Sequence, residues 1–179
     1  MKRNMKTWLM ALAILSVPLT SMAQNASKDE KLIADSKEAK EKFINADGLM
    51  KNLFDNSYGY VIFPNVGKGA VGVGGAAGNG IVYEQGKAIG RAGMKQVTVG
   101  FQFGGQAYRE VIFFENKEAL DRFKQDNFEF AAQASAVAAD KGASANVKYE
   151  NGVMVFTQEK GGLMYEASVG GQKFDFESF

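Results

Sequence analysis

Side chains suited to catalysis or metal binding are few in this chain of 179 residues, which contains no histidine and no cysteine. Their absence excludes Ser-His-Asp and Cys-His nucleophilic sites, the usual zinc sites and the usual general base near neutral pH. The 20 acidic residues show no spacing that pairs two carboxylates for acid–base work, and most lie beside lysines on predicted helices. The sequence therefore predicts no catalytic site, no metal site and no cofactor.

The most unusual stretch is the run of glycines and other small residues between Gly67 and Gly80. Glycine loses more conformational entropy on folding than any other residue, so such a run in an extended segment indicates that something approaches the backbone closely. The approaching group is another backbone, a bulky side chain or a ligand. These three alternatives stay open at the level of the sequence.

A nucleotide is one ligand that glycine-rich segments hold. Gly72, Gly74 and Ala77 fit the loose pattern G-x-G-x-x-A, but residues 79–83 predict a turn and a strand where a dinucleotide-binding loop requires a helix. The Walker pattern fails because isoleucine stands at both positions where its first glycine is needed. Nucleotide binding is therefore not predicted.

Four basic residues lie within or just after the glycine-rich segment, and small residues flank them. This arrangement could present positive charge and bare backbone N–H groups to the anionic head group of a lipid. The simpler alternative for each of them is a solvated surface charge. The candidate lipid-binding residues are Gly67, Lys68, Gly69, Lys87, Arg91 and Lys95.

The N-terminus has the residue order of a secretory signal peptide. Basic residues come first, an apolar run covers residues 8–17, and the small residues Ser21 and Ala23 follow. About ten apolar residues are too few for the roughly 20 that a bilayer-spanning helix needs, and a retained membrane anchor is the alternative. We expect cleavage near Ala23, which leaves residues 24–179 as one periplasmic or secreted domain.

The charge balance changes when the predicted signal peptide is removed. Residues 1–23 contain three of the 21 basic residues and none of the 20 acidic ones, so the mature chain has a net charge of about −2. A protein that coats nucleic acid is normally strongly basic on one face. Nucleic acid is therefore not predicted as a partner.

Helical periodicity follows the predicted cleavage site. Ser27 and Glu30 have the spacing of a capping box, and apolar or small residues then recur three and four positions apart. Gly48 interrupts the pattern, which predicts one helix over 28–46 and a shorter one over 47–56. The apolar stripe packs on the domain's own sheet or, as the alternative, inserts into a membrane.

Short strands separated by glycine turns are predicted for the rest of the chain. Pro64 is expected to end the first strand. Apolar and polar residues alternate over 96–103, which predicts a half-buried strand with Val97 on its apolar face. Residues 108–114 are the expected hairpin partner of that strand. Asn116 is the expected cap of a short inserted helix. The other predicted strands cover residues 58–63, 81–83, 128–137, 153–158, 163–169 and 172–176.

These elements predict an α+β fold. Many short strands, helices at the N-terminus and one short inserted helix are typical of a domain built around a curved antiparallel sheet or a partly open β-barrel. No linker, charge block or internal repeat divides the run, so a single domain is expected.

Three ordered motifs resemble the SYLF domain family. The first, residues 59–75, is an "IFP" strand that leads into a Lys-Gly pair and a glycine run; the second, residues 99–105, is a strand that ends in a Gly-Gly turn; the third lies within residues 160–171. The resemblance covers roughly residues 34–176. It implies binding of membrane lipids, with phosphoinositides among them in eukaryotes and actin as a partner of some eukaryotic relatives.

The resemblance carries over one candidate residue by its motif, Lys68. Residues and resemblance together predict an exported, non-catalytic module that binds a membrane surface, with anionic phospholipid head groups as its ligands. The alternative is a structural or protein-interaction domain of the cell envelope, with an envelope protein as its partner.

Overall fold

The computed structural model describes residues 19–71, 73–99, 106–125, 128–131, 134–160 and 166–179. Its helices are α1 (Leu19–Ala46), α2 (Met50–Asn56) and α3 (Lys117–Phe123), and a 3-10 turn covers Ala143–Asn146. The strands are β1 (Gly59–Val71), β2 (Val73–Glu84), β3 (Lys87–Val99), β4 (Gln106–Phe114), β5 (Phe128–Glu129), β6 (Ser135–Ala138), β7 (Val153–Glu159), β8 (Glu166–Ser168) and β9 (Lys173–Ser178).

The strands form one curled sheet in the order β5-β9-β3-β2-β1-β4-β7-β6-β8. At one end of this order β5 pairs with β9, and at the other end β6 pairs with β8. Because β6 follows β5 along the chain and β9 follows β8, the two pairs are parts of one antiparallel ribbon. Between them, the N–H of Val169 donates to the carbonyl of Ala134, and the N–H of Gly171 donates to that of Phe130. The predicted α+β class with a partly open barrel is confirmed, although β6 and β7 pair in parallel.

The central strands are buried on both faces. Inward-facing residues such as Phe63, Ile112 and Phe174 form the core inside the barrel. On the outer face, aromatic and aliphatic residues pack against Phe43 of α1 and Phe54 of α2. The apolar stripe of the N-terminal helices therefore packs on the domain's own sheet, which is the first of the two predicted alternatives.

Helix α1 begins earlier than predicted. The capping-box pair Ser27 and Glu30 lies within a continuous helix that starts at Leu19, because residues 19–26 contain neither glycine nor proline to break it. The predicted cleavage site thus lies inside this helix, while residues 1–18 of the predicted signal peptide lie outside the described residues. In the part of the chain that the structure covers, no helix combines the length and the hydropathy needed to cross a bilayer.

Strand β1 does not end at Pro64, so that prediction is wrong. The strand continues to Val71, and its register with β2 shifts between Ile62 and Asn65. A bulge tolerates proline because its residue need not donate a ladder hydrogen bond. Opposite the bulge, a Cβ on Gly80 would lie 2.6 Å from the carbonyl oxygen of Ile62, so only glycine fits there.

The predicted hairpin between residues 96–103 and 108–114 is also wrong in the described part of the chain. Strand β4 pairs with β1 and β7 and not with β3. The alternation of β3 is correct, but its faces are reversed: Val97 is 75% exposed and Gln96 is 4% exposed. Burial of Gln96 is tolerated because its Nε2 donates to the carbonyl of Gly170 at 3.0 Å. Residues 100–105, with the predicted Gly-Gly turn, lie outside the described residues.

The inserted helix and the C-terminal strands agree with the predictions. Asn116 caps α3, with its Oδ1 accepting from the N–H of Ala119 at 2.9 Å. Strands β7, β8 and β9 fall on the three predicted C-terminal segments. The segment 128–137, predicted as one strand, contains the two shorter strands β5 and β6.

A polar cluster lies within the barrel core. Glu110 and Gln172 are both fully buried, and Gln172 Nε2 donates to Glu110 Oε2 at 3.0 Å. Glu110 Oε1 and Gln172 Oε1 have no hydrogen-bond partner among the residues that the structure describes. Burial raises the pKa of Glu110 to about 7, with the hydrogen bond from Gln172 acting in the opposite direction.

The two ends of the glycine-rich segment should respond differently to an added methyl group. Gly80→Ala is expected to lower the free energy of unfolding by about 1–3 kcal/mol because the new Cβ overlaps the bulge. Gly67→Ala, where a Cβ meets nothing within 4 Å, should change it by less than about 0.5 kcal/mol. Chemical denaturation of both variants measures this difference, and equal losses would show that the bulge is not tightly packed.

Glu110 should make stability depend on pH. Its pKa rises from 4.5 in the unfolded chain to about 7 in the folded one, so its contribution is complete below pH 4.5 and is lost as the pH rises through 7. The loss is on the order of 3 kcal/mol. Glu110→Gln should therefore flatten the fall in unfolding free energy between pH 4.5 and about 7. Parallel curves for the wild type and the variant in denaturant titrations would contradict a buried, titrating Glu110.

Candidate functional site

The six predicted residues do not form one surface. Residues paired directly across antiparallel strands project from the same face of a sheet. Lys68 is paired with Ala76, which is paired with Gln96, and both of these partners are buried. Lys68 therefore occupies an inward-facing position, whereas Gly67 and Gly69 occupy outward-facing positions of β1.

Two of the other predicted cations lie away from the glycine strands. Lys87 is exposed and paired with Glu84 beside the β2–β3 turn, at the opposite end of β3 from Lys95. Arg91 lies between two carboxylates, with Nη1 3.1 Å from Asp29 Oδ1 and Nη2 2.8 Å from Glu177 Oε1. The hydrogen bond to Glu177 and the nearby Asp29 raise the pKa of Arg91. Its charge is thus used to tie α1 to the sheet.

Lys95 is the predicted cation that the structure brings level with Gly67. Pairing across β3, β2, β1 and β4 places Lys95, Ala77, Gly67 and Ala107 side by side. The same row continues to β9 and β7, because Lys95 is paired with Lys173 on one side and the N–H of Lys160 donates to the carbonyl of Ala107 on the other. We call these residues the outer row: Lys173, Lys95, Ala77, Gly67, Ala107 and Lys160.

The outer row is uncovered. All of its members except the half-buried Ala107 are exposed, and a Cβ on Gly67 would meet nothing within 4 Å. Helix α1 crosses the sheet beside the row, from Asp29 near Arg91 of β3 to the carbonyl of Lys42, which accepts from Gln158 of β7. Four strand spacings of about 4.8 Å separate β3 from β7, so the Cα atoms of Lys95 and Lys160 lie at most roughly 19 Å apart.

The outer row carries positive charge that is only partly balanced. In the described chain, Lys95 and Lys160 form no ion pair, whereas Lys173 lies 3.4 Å from Glu129. Lys160 Nζ donates to Asn65 Oδ1 at 3.0 Å. Burial together with nearby Arg109 lowers the pKa of Lys160, and the carboxylates of Asp35 and Glu38 on α1 act in the opposite direction. A surface that bears cations beside bare backbone attracts anions.

An apolar side chain adjoins these cations. Val97, two residues along β3 from Lys95, projects from the same outer face and is 75% exposed. Singly exposed valines are common on protein surfaces. Here the valine stands beside the small residues and lysines of the outer row, so one surface offers contacts both to a charged head group and to apolar chain.

Lys160 and Lys173 also belong to this surface, although the sequence alone did not predict them as site residues. Lys160 stands in the third family-like motif, which was the one available signal. Their grouping depends on the register of β4 with β7 and of β3 with β9, and these pairings join residues far apart in the chain. Composition and alternation carry no information about that register.

Groups suited to acid–base or metal chemistry are not gathered at the outer row. Glu110, the carboxyl whose pKa is raised to about 7, is 0% exposed and lies inside the barrel. A search of the described residues finds no group of three or more His, Cys, Asp or Glu side chains that could hold a metal ion.

Comparison with known proteins adds two findings. A curated relative, Beta cell expansion factor A of Aeromonas veronii, is 28% identical over 135 residues, which cover 74% of this chain and 51% of that protein. The present chain thus matches about half the length of that relative. Residues 95–178 match the family model Ysc84, described as Las17-binding protein actin regulator. The Ysc84 model describes the SYLF domain, so the match confirms the resemblance to the SYLF family.

Proposed function

We propose that this chain is an exported, non-catalytic module that binds a membrane surface through the outer row. The observation that carries the proposal is the exposed row in which Lys95, Lys160 and Lys173 flank the small residues of three neighbouring strands. Anionic phospholipid head groups are the ligands that suit it. The lipid binding implied by the family resemblance supports the same conclusion.

Electrostatics favour a local contact between the outer row and the membrane over a general attraction between the whole protein and an anionic surface. A basic side chain near an anionic membrane surface contributes about 1 kcal/mol, so three lysines can support weak, reversible binding. The mature chain has a net charge of about −2, so it is not drawn to anionic surfaces as a whole. Binding should therefore be salt-sensitive, and it should depend on the orientation of the outer row toward the membrane.

A protein partner in the cell envelope is the second candidate. It is favoured by the description of the matching family model, which names a protein as the ligand. The exposed Val97 and the small residues of the outer row would serve a protein contact equally well. Vesicle binding separates the two candidates because it uses lipid alone.

Reversal of charge in the outer row should weaken membrane binding. We expect the purified protein to sediment with vesicles that contain phosphatidylglycerol and not with vesicles of phosphatidylcholine alone. The double variant Lys95→Glu/Lys160→Glu should lower the affinity by about tenfold or more. Its matched control is Lys87→Glu/Lys141→Glu, which makes the same change of net charge at exposed positions away from the outer row.

Two outcomes of this experiment would contradict the proposal. One is the absence of sedimentation with either kind of vesicle, which would favour the protein partner. The other is an equal loss of affinity in the control variant, which would show that net charge rather than the outer row governs the interaction.

Export should be visible in the mass of the protein. When the full-length chain is produced in a bacterium, the intact mass of the protein recovered from the periplasm should correspond to a chain that begins at Gln24. Mass spectrometry of the periplasmic and membrane fractions measures this. Recovery of the uncleaved chain in the membrane fraction would support the retained anchor instead.

A further inference from the structure

A cleft of about 1090 Å³ lies between α3, β7 and the described residues 128–131 and Ala134. Strands β6 and β7 pair at Val137 with Phe156 and at Ala138 with Thr157. The cleft occupies the gap in the barrel wall between this pairing and the turn that precedes β7. Residues of β7 line one side, and the other side is lined by Phe128, Glu129, Phe130, Ala131 and Ala134. Its volume is at the upper end of the range for pockets that hold small molecules.

The floor of the cleft is apolar and continuous with the barrel core. Phe130 and Val155 are core residues, and the half-buried Phe128 and Val153 pack against that core. The rings of Phe128 and Phe130 meet edge to face with their centroids 5.5 Å apart. A hydrocarbon chain laid on this floor would cover apolar surface that now faces the cleft, at about 25 cal/mol per Å² removed from water.

The rim of the cleft is acidic. Its charged members are Glu115, Glu118, Glu129, Glu150, Arg122 and Lys148, and together with Lys173, which pairs with Glu129, they leave one negative charge in excess. Arg122 pairs with Glu118 at 3.3 Å, and Lys173 pairs with Glu129 at 3.4 Å. Among the residues with described positions, Glu115 and Glu150 have no ion-pair partner.

Glu115 and Glu150 are placed at the same end of the cleft. The N–H of Glu115 donates to the carbonyl of Gly152, and the N–H of Glu150 donates to that of Val153, both at 2.9 Å. The tight turn at residues 151–152 therefore brings the backbones of Glu115 and Glu150 together at this end, and both residues are exposed. Arg122 Nη2 donates to the carbonyl of Asn151 in the same turn, and Lys148 also lines the cleft, so the negative charge at this end is only partly balanced. An apolar floor that ends at an excess of negative charge is complementary to a molecule with an apolar chain and a positive head.

We propose that this cleft binds a single-chain amphiphile with a cationic head, with the chain on the phenylalanine and valine floor and the ammonium group beside Glu115 and Glu150. A fatty acid is disfavoured because its carboxylate would meet the acidic rim. The site goes beyond membrane binding by the outer row and does not depend on it, since the two surfaces have opposite charge. They border each other at the ion pair of Glu129 with Lys173.

Titration calorimetry of the full-length protein tests the site with dodecyltrimethylammonium and dodecanoate, each below its micelle concentration. We expect one cation bound per chain, about tenfold or more tighter than dodecanoate. Ala131→Trp, a change at an exposed residue that lines the cleft, should abolish binding by filling the space. Glu115→Lys/Glu150→Lys should reverse the preference in favour of dodecanoate.

Matched controls separate this site from general charge and from the outer row. Glu30→Lys/Glu41→Lys makes the same change of net charge at exposed positions of α1 and should leave the preference for the cation unchanged. Lys95→Glu/Lys160→Glu should leave amphiphile binding intact even where it abolishes vesicle binding. Equal affinity for the two amphiphiles, binding of neither, or undiminished binding by folded Ala131→Trp would each overturn the proposal.

Discussion

The structure depends on closure of its sheet by a hydrogen-bonded ribbon. The chain contains no cysteine, so no disulfide can join the two ends of the strand order. Instead, the segment from β5 to β6 pairs with the segment from β8 to β9, and backbone hydrogen bonds at Phe130 and Ala134 continue the pairing between them. Side chains secure the ribbon from inside the barrel, where Gln172 reaches Glu110 and Gln96 reaches the carbonyl of Gly170. Closure in this way encloses the phenylalanine core and also creates the gap beside β7.

A charged side chain beneath helix α1 is paired with opposite charges, whereas the charges beyond the helix are less completely paired. Helix α1 covers the middle of the outer face, and there Arg91 is neutralised by Asp29 and Glu177. Among the residues that the structure describes, Lys95 and Lys160 of the outer row form no ion pair, and neither do Glu115 and Glu150 in the cleft on the other side of β5. Screening shortens the reach of each patch to about 10 Å in ordinary salt, so opposite patches can act separately on a chain of nearly balanced charge.

Local signals in the sequence predicted the elements, whereas long-range pairing decided the site. The cap at Asn116, the break at Gly48 and the alternation along β3 all depend on neighbouring residues, and each agrees with the structure. Alternation identifies two faces without saying which one is inward, so Val97 was assigned to the wrong face. The partner of β4 and the inward position of Lys68 depend on register between distant strands, for which nothing local in the sequence is a guide.

The glycine-rich segment combines two physical requirements that composition cannot separate. At Gly78 and Gly80 an added Cβ would lie 3.0 Å or less from a carbonyl oxygen of β1, so glycine there lets two strands approach across the bulge. At Gly67 the space above the backbone is open, and packing gives no reason for the missing side chain. Because β1 is a single strand with a fixed register on both sides, the tightly packed end determines which face the open end presents. The bulge at Pro64 thus sets the orientation of Gly67 and, through the register, of Lys95 beside it.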